Sequence, residues 1–166
     1  MRGNDLSART KGHVLMKTRT GDLLELVLQG EFDVIVHGCN CFHIMGAGIA
    51  RQIAMRFPEA YEADKKTPHG DRNKLGTIST AEIERDNACF VIVNAYTQFD
   101  VRGRGPKVDY DAVSSCFAVV ADRFAGRRIG YPLIGAGLAG GDWDLIAERI
   151  SKRLEGLEHT LVTLLE

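Results

Sequence analysis

Apolar and polar positions follow two rhythms along the chain, and the change from one to the other marks its elements. Continuous apolar, often β-branched runs predict buried strands at His13 to Thr18, Asp33 to Val36, Leu75 to Glu84, Cys89 to Ala95, Arg128 to Ile134 and His159 to Leu165. Apolar residues three and four apart predict helices. Ile49, Ile53 and Phe57 make one such stripe, with Arg51, Gln52 and Arg56 on the wet face, in a helix that begins near Gly46 and ends or kinks at Pro58. Val113, Phe117 and Val120, with Cys116 and Val119 alongside, predict a core-facing helix over Asp109 to Phe124. Trp143, Ile146, Ile150 and Leu154 predict another over Asp142 to Leu154. The run LLELVL reads as a short helix with Asp22 near its N-terminus. By contrast, EAYEADKKTPHGDRNK reads as a helix end plus a solvated loop, and DVRGRGPK as a loop. Residues 1–12 are polar and expected to be loosely held. Strands alternating with helices predict one α/β domain over 13–166: a three-layer α/β/α sandwich around a mixed, mostly parallel sheet.

Composition narrows the function classes. No apolar run approaches the roughly 20 residues of a membrane span, and the opening MRGNDLSARTKGH lacks the apolar core of a secretory signal. Formal net charge is −1, so no global field draws the chain to nucleic acid or membrane; an anion must be held locally, which favours a small ligand over a polymer. Cys39, Cys41, Cys89 and Cys116 sit in or beside apolar segments and read as reduced cytoplasmic thiols, although an even count also permits disulfides. His37, Cys39, Cys41 and His43 alternate, and on a continuous strand they would put four metal-type ligands on one face. Structural zinc usually draws its ligand pairs from separate segments, and Asn40 with the following glycines implies a loop. The favoured reading is therefore thiols filling core space and histidines at a site edge, with neither metal nor cofactor.

Two strand-to-helix connections, 37–48 and 134–142, both combine glycine with a following helix start. Polar groups at a strand's C-terminal end face the crevice where open α/β sheets bind ligands, and free backbone N–H groups there attract an anion. Gly135, Gly137 and Gly140 spell a formal G-x-G-x-x-G, but only one helix and one strand remain after them, which argues against a dinucleotide-binding unit. If the two strands are neighbours, two anion-binding concavities share one cleft, which suits a diphosphate. Tight turns without a ligand are the alternative for either loop alone. Asp22 is a helix cap or a ligand acceptor, with the cap favoured from the residues themselves. Tyr96, Thr97, Gln98 and Phe99 leave a strand as a polar aromatic cluster that either meets a ligand or caps the strand end.

At VHGCN...MGAGIA and PLIGAGLAGG the chain resembles a macro domain, the ADP-ribose-binding module, over most of its length from His13 onward. The resemblance implies that Asn40 holds the distal ribose. It further implies that Asp22, in Gly21-Asp22-Leu23, accepts from the adenine amino group, reversing the preference for a simple cap. Gly46, Ala47, Gly48 and Ile49 then match the first phosphate loop, and Gly135, Ala136, Gly137, Leu138, Ala139 and Gly140 the second. His37 and Cys39 depart from the commonest pattern and look like the branch containing yeast-type ADP-ribose 1''-phosphate phosphatases. In a branch that removes ADP-ribose from glutamate, an aspartate follows the second G-x-G-L; here that residue is Ala139, and Asp142 is out of register.

No C-x5-R phosphatase signature and no carboxylate cluster for magnesium is present in the sequence. The expected catalytic pair is therefore His37, assisting proton transfer, and Asn40, orienting the ribose or the attacking water. A His37 that only shapes the pocket is the alternative. The implied activity is hydrolysis of ADP-ribose 1''-phosphate or of an ADP-ribosylated protein; a non-catalytic ADP-ribose module is the second reading. Arg102, Arg104 and Lys107 offer nucleic acid only a small basic surface, more simply a solvated loop.

Overall fold

The computed structural model describes residues 6–9, 15–85 and 87–164. Seven strands form one sheet: β1 (Leu6–Arg9), β2 (Leu15–Thr20), β3 (Val34–Cys39), β4 (Ile78–Arg85), β5 (Ala88–Tyr96), β6 (Ile129–Tyr131) and β7 (His159–Thr163). Their spatial order is β1-β2-β7-β6-β3-β5-β4. The pairs β2–β7, β7–β6, β6–β3 and β3–β5 are parallel; β1 and β4 close the two edges antiparallel. Helices α1 (Leu23–Leu28), α2 (Gly48–Arg56) and α3 (Pro58–Lys65) cover one face, and α4 (Tyr110–Arg123) and α5 (Trp143–Arg153) the other. The expected three layers are therefore present. Val34 and Val36 pack toward α4 and α5 while Ile35 packs toward α1 to α3, so β3 needs apolar residues on both faces. Among the described residues no helix is long and apolar enough to cross a membrane.

Two expectations change. Pro58 does not merely end α2; it occupies the first turn of α3, where a missing N–H costs nothing. The segment expected to be a helix end plus loop is thus a helix through Lys65, and its buried face carries Ala60 and Asp64. A carboxylate on the inner face hid the helical stripe. Leu6–Arg9, expected to be loose, pairs antiparallel with β2. Smaller differences concern ends: β6 stops at Tyr131, before Pro132, which has no N–H to donate to a ladder. His13, Val14 and Leu165, included in the expected strands, lie outside the described residues.

Because the inner strands are parallel, the chain leaves β2, β3, β5 and β6 along one edge of the sheet. Everything that forms the site follows from that edge.

Candidate functional site

The first glycine connection ends in α2, whose N-cap residue, Ala47, provides no side-chain hydrogen bond. By contrast α1, α4 and α5 are capped by Asp22, Asp109 and Asp142. Among the described residues the first-turn amides of Gly48, Ile49 and Ala50 therefore have no partner, as the opening N–H groups of a helix have none within it. Gly46, Ala47 and Gly48 are exposed. In the second connection Gly135 adopts φ +74°, and its carbonyl accepts from Gly141 N at 2.7 Å, pinching residues 135–141 into a closed loop. Among the described residues the amides of Gly137, Leu138 and Ala139 donate to no protein group. The two loops meet: β6 and β3 are direct neighbours, and a Cβ placed on Gly48 would lie 3.9 Å from Leu138 Cδ1. Six amides with no partner among the described residues thus lie on two adjoining loops, and paired donor sets of this kind suit a diphosphate.

Asp22 stands on the same edge, after β2. Three strand steps separate β2 from β3, roughly 14 Å at about 4.8 Å each. Its Oδ1 accepts from Leu24 N at 2.9 Å and Glu25 N at 3.2 Å, so the cap is real, while Oδ2 has no partner among the described residues. One oxygen caps and the other stays free to accept. Leu23, also expected at the ligand, has its side chain buried in the core.

Asn40 is nearly buried, and its carboxamide closes the loop around itself. Oδ1 accepts from Phe42 N at 2.9 Å and Ile44 N at 3.3 Å, and Nδ2 donates to Ile44 O at 2.8 Å. One Nδ2 hydrogen is left for a ligand.

His37 is 1% exposed and lies on the α3 face of the sheet, not in the cleft. Its Nε2 is 2.6 Å from Asn94 Oδ1, an amide oxygen that only accepts, so the ring is the donor there. Cys39 Sγ lies 3.5 Å from the same nitrogen. This is the geometry of a residue that shapes the floor. The proton-transfer role expected of His37 meets a physical obstacle, since the ring is buried beneath α3 and held by Asn94.

Burial lowers the pKa of His37, with the Asn94 hydrogen bond opposing it in part, and burial lowers that of His159 too. Below the ordinary value of 6.5 the unfolded chain takes a proton that the folded ring refuses. Stability is therefore complete above that value and falls as pH drops from about 6.5 toward the folded pKa, by at most about 1.4 kcal/mol per pH unit for each histidine. The urea midpoint is expected to be lower at pH 5.5 than at pH 7.5, with His37→Gln removing roughly half of the difference. A midpoint that does not move over this range would mean that the ring ionises freely.

Behind His37 runs a buried polar chain. Asn94 Nδ2 donates to Ala60 O and Ser79 Oγ at 2.9 and 3.0 Å, Ser79 Oγ is 2.7 Å from the Tyr96 hydroxyl, and that hydroxyl donates to Asp64 Oδ1 at 2.8 Å. Lys74 Nζ ends the chain 3.9 Å from Asp64 Oδ1, with no hydrogen-bond partner among the described residues. Of the expected aromatic cluster, Tyr96 belongs to this core and Thr97 is buried, while Gln98 bridges to Val108. Gln98 and Phe99 are both half-buried, and Phe99 is the aromatic member that reaches the surface. It packs edge-on against Phe42 at 4.9 Å, under the Arg72 guanidinium at 4.0 Å.

Of the four alternating histidines and cysteines, His37 and Cys39 stay together and the other two turn elsewhere. Cys41 Sγ turns toward Gln98 O and His43 toward Thr67, and among the described residues no three His, Cys, Asp or Glu side chains converge as metal ligands.

Fold and cleft together define an α/β/α domain with paired glycine loops at the C-terminal edge of its sheet. The chain belongs to the macro-domain family: the family model matches residues 36–150. An uncharacterised 17.5 kDa protein of Enterobacteria phage T4 is 36% identical over 154 residues, spanning 90% of this chain and 96% of the phage protein. The DNA ADP-ribosyl glycohydrolase of Mycobacterium tuberculosis is 25% identical over 138 residues, which are 83% of this chain but only 38% of that protein. Among solved structures, Thermosipho africanus DarTG in complex with ADP-ribose superposes with a TM-score of 0.71 at 16% identity, over 97% of this chain and 44% of that one. The last likeness shows the fold.

Proposed function

We propose that this macro domain binds ADP-ribose and hydrolyses derivatives substituted at the distal ribose, with the anomeric carbon C1'' as the reacting centre. What supports this reading is that two adjoining loops carry, at residues 48–50 and 137–139, amides with no partner among the described residues. A diphosphate fits between two such donor sets. Asp22 then accepts from the adenine amino group through its free Oδ2, and Asn40 meets the distal ribose through its remaining Nδ2 hydrogen. The proposed ligand set is thus Asp22 and Asn40 by side chain, Leu23 by backbone, and the 46–49 and 135–140 turns by their amides. Cleavage at C1'' accounts both for release of phosphate from ADP-ribose 1''-phosphate, the substrate of the yeast-type branch, and for removal of ADP-ribose from a macromolecule. The mycobacterial relative's name supports the latter.

A binding module without turnover is the second reading. The sealed position of His37 favours it, because the residue expected to move a proton does not reach the cleft.

Calorimetry with ADP-ribose, AMP and NAD, followed by turnover assays on ADP-ribose 1''-phosphate and on ADP-ribosylated protein and DNA, separates the readings. ADP-ribose is expected to bind at least tenfold more tightly than AMP, since AMP lacks the second phosphate and the distal sugar. Equal affinities would remove the diphosphate cleft from the account, and tight binding without turnover of any substrate would establish the second reading.

A further inference from the structure

Among the described residues His43 is the only non-glycine with a left-handed backbone, φ +58°. For a residue with a Cβ that conformation persists only where its surroundings impose it, and such residues concentrate at functional sites. Here the imposing group is Asn40, whose Oδ1 accepts from the amides on either side of His43, those of Phe42 and Ile44. The residue expected to hold the sugar therefore also sets the position of this histidine.

The ring is fixed as firmly. His43 Nε2 lies 2.9 Å from Thr67 O and 3.3 Å from Thr67 Oγ1. A carbonyl oxygen only accepts, so Nε2 carries the hydrogen and Nδ1 keeps its lone pair. Thr67 is anchored in turn, its amide and hydroxyl both bonded to Asp64 O at the end of α3. An imidazole held by a carbonyl in one tautomer is the arrangement a general base requires. Unlike His37, His43 is only partly buried, and along the chain it lies between Asn40 and the first glycine turn.

We propose that His43 is the proton-transfer residue of the cleft, which rests on the hydrolase reading above. Nδ1 takes a proton from water as the water oxygen bonds to C1''. The bond from C1'' to its substituent oxygen breaks, the electron pair leaves on that oxygen, and the proton held on Nδ1 passes to it. The products are ADP-ribose and the protonated leaving group. His69, whose exposed ring stands edge-on 5.2 Å away, is the titratable neighbour; Asp64, Tyr96 and Lys74 lie behind Thr67 in the buried chain.

The test is His43→Asn, because asparagine tolerates the left-handed backbone and has no basic nitrogen. With the substrate that the unaltered protein turns over, kcat is expected to fall at least a hundredfold. The acid limb of its pH profile should disappear, while the ADP-ribose Kd shifts less than about threefold. His69→Ala should keep both the limb and the rate. A His43→Asn protein that keeps its rate or its acid limb, or a limb that vanishes with His69→Ala instead, overturns the assignment. Failure of the unaltered protein to bind ADP-ribose would remove the binding reading. Binding with no turnover of the 1''-phosphate, ADP-ribosylated protein or ADP-ribosylated DNA would leave that reading standing and remove this inference alone.

Discussion

Gly135→Ala is expected to weaken ADP-ribose binding roughly ten- to hundredfold. Two costs act together at this position. An L side chain at φ +74° is strained, and a Cβ there would stand 2.7 Å from Val108 Cγ2 and 3.1 Å from Ile146 Cδ1. Strain of this kind is worth about 1–3 kcal/mol and overpacking a similar amount. Val108 and Ile146 belong to the main core, so the loop is the part that yields. Its movement carries away the amides of Gly137, Leu138 and Ala139 and loosens the Gly141 N to Gly135 O bond that closes the turn. A Gly135→Ala/Val108→Ala double variant removes the 2.7 Å collision with Val108 Cγ2 but neither the 3.1 Å contact with Ile146 Cδ1 nor the φ strain, and should recover part of the affinity. Calorimetry on a folded single variant that showed unchanged affinity would mean that the second loop does not hold the ligand.

Asp64→Ala is expected to lower the free energy of unfolding by about 3–5 kcal/mol, the usual cost of removing one partner from a buried ion pair. Asp64 is 1% exposed, accepts from the Tyr96 hydroxyl, and is the counterion 3.9 Å from Lys74 Nζ. That ammonium has no hydrogen bond among the described residues and stands 4.4 Å from the centre of the Tyr96 ring. Burial pushes the Lys74 pKa down and Asp64 resists the shift. Without the carboxylate the lysine must shed its proton or force water into the core. Replacing both residues, as in Asp64→Leu/Lys74→Met, should recover most of the loss, because it removes both charges and their desolvation. For a domain of this size the single variant corresponds to a drop in Tm of roughly 6–20 °C. A loss below about 1 kcal/mol would show that Lys74 already reaches solvent.

Both positions illustrate how unevenly the chain discloses itself. Gly135 was legible: glycines after an apolar strand and before an amphipathic helix announce a turn where backbone must be free, and the turn is there. Asp64 was not. It lies in a stretch whose charges read as a solvated loop, and its partners Tyr96 and Lys74 come from other segments. Local pattern reports whether a position suits a helix or strand face, but carries no record of which distant group will neutralise it. The same blindness affected the two histidines flanking Asn40. His37 looked like the chemical one because it stands at a strand end, yet strand parity turns it inward beside Asn94. His43 looked like an edge residue, and only its backbone angle and its bond to Thr67 distinguish it.

The sequence by itself determined the layering and the glycine turns, because hydrophobic period and backbone freedom are local properties written in consecutive residues. It also placed Asp22 at the head of α1, where its short carboxylate reaches the free amides of the first turn. Only the tertiary structure decided that β6 lies beside β3, and so that the two turns adjoin. It alone sealed His37 under α3, spent most of the Asn40 carboxamide on its own loop, and set the His43 ring on a carbonyl. Those outcomes depend on strand order and on hydrogen bonds between residues far apart in the chain, and each buried polar group takes whatever partner the folded topology brings within reach.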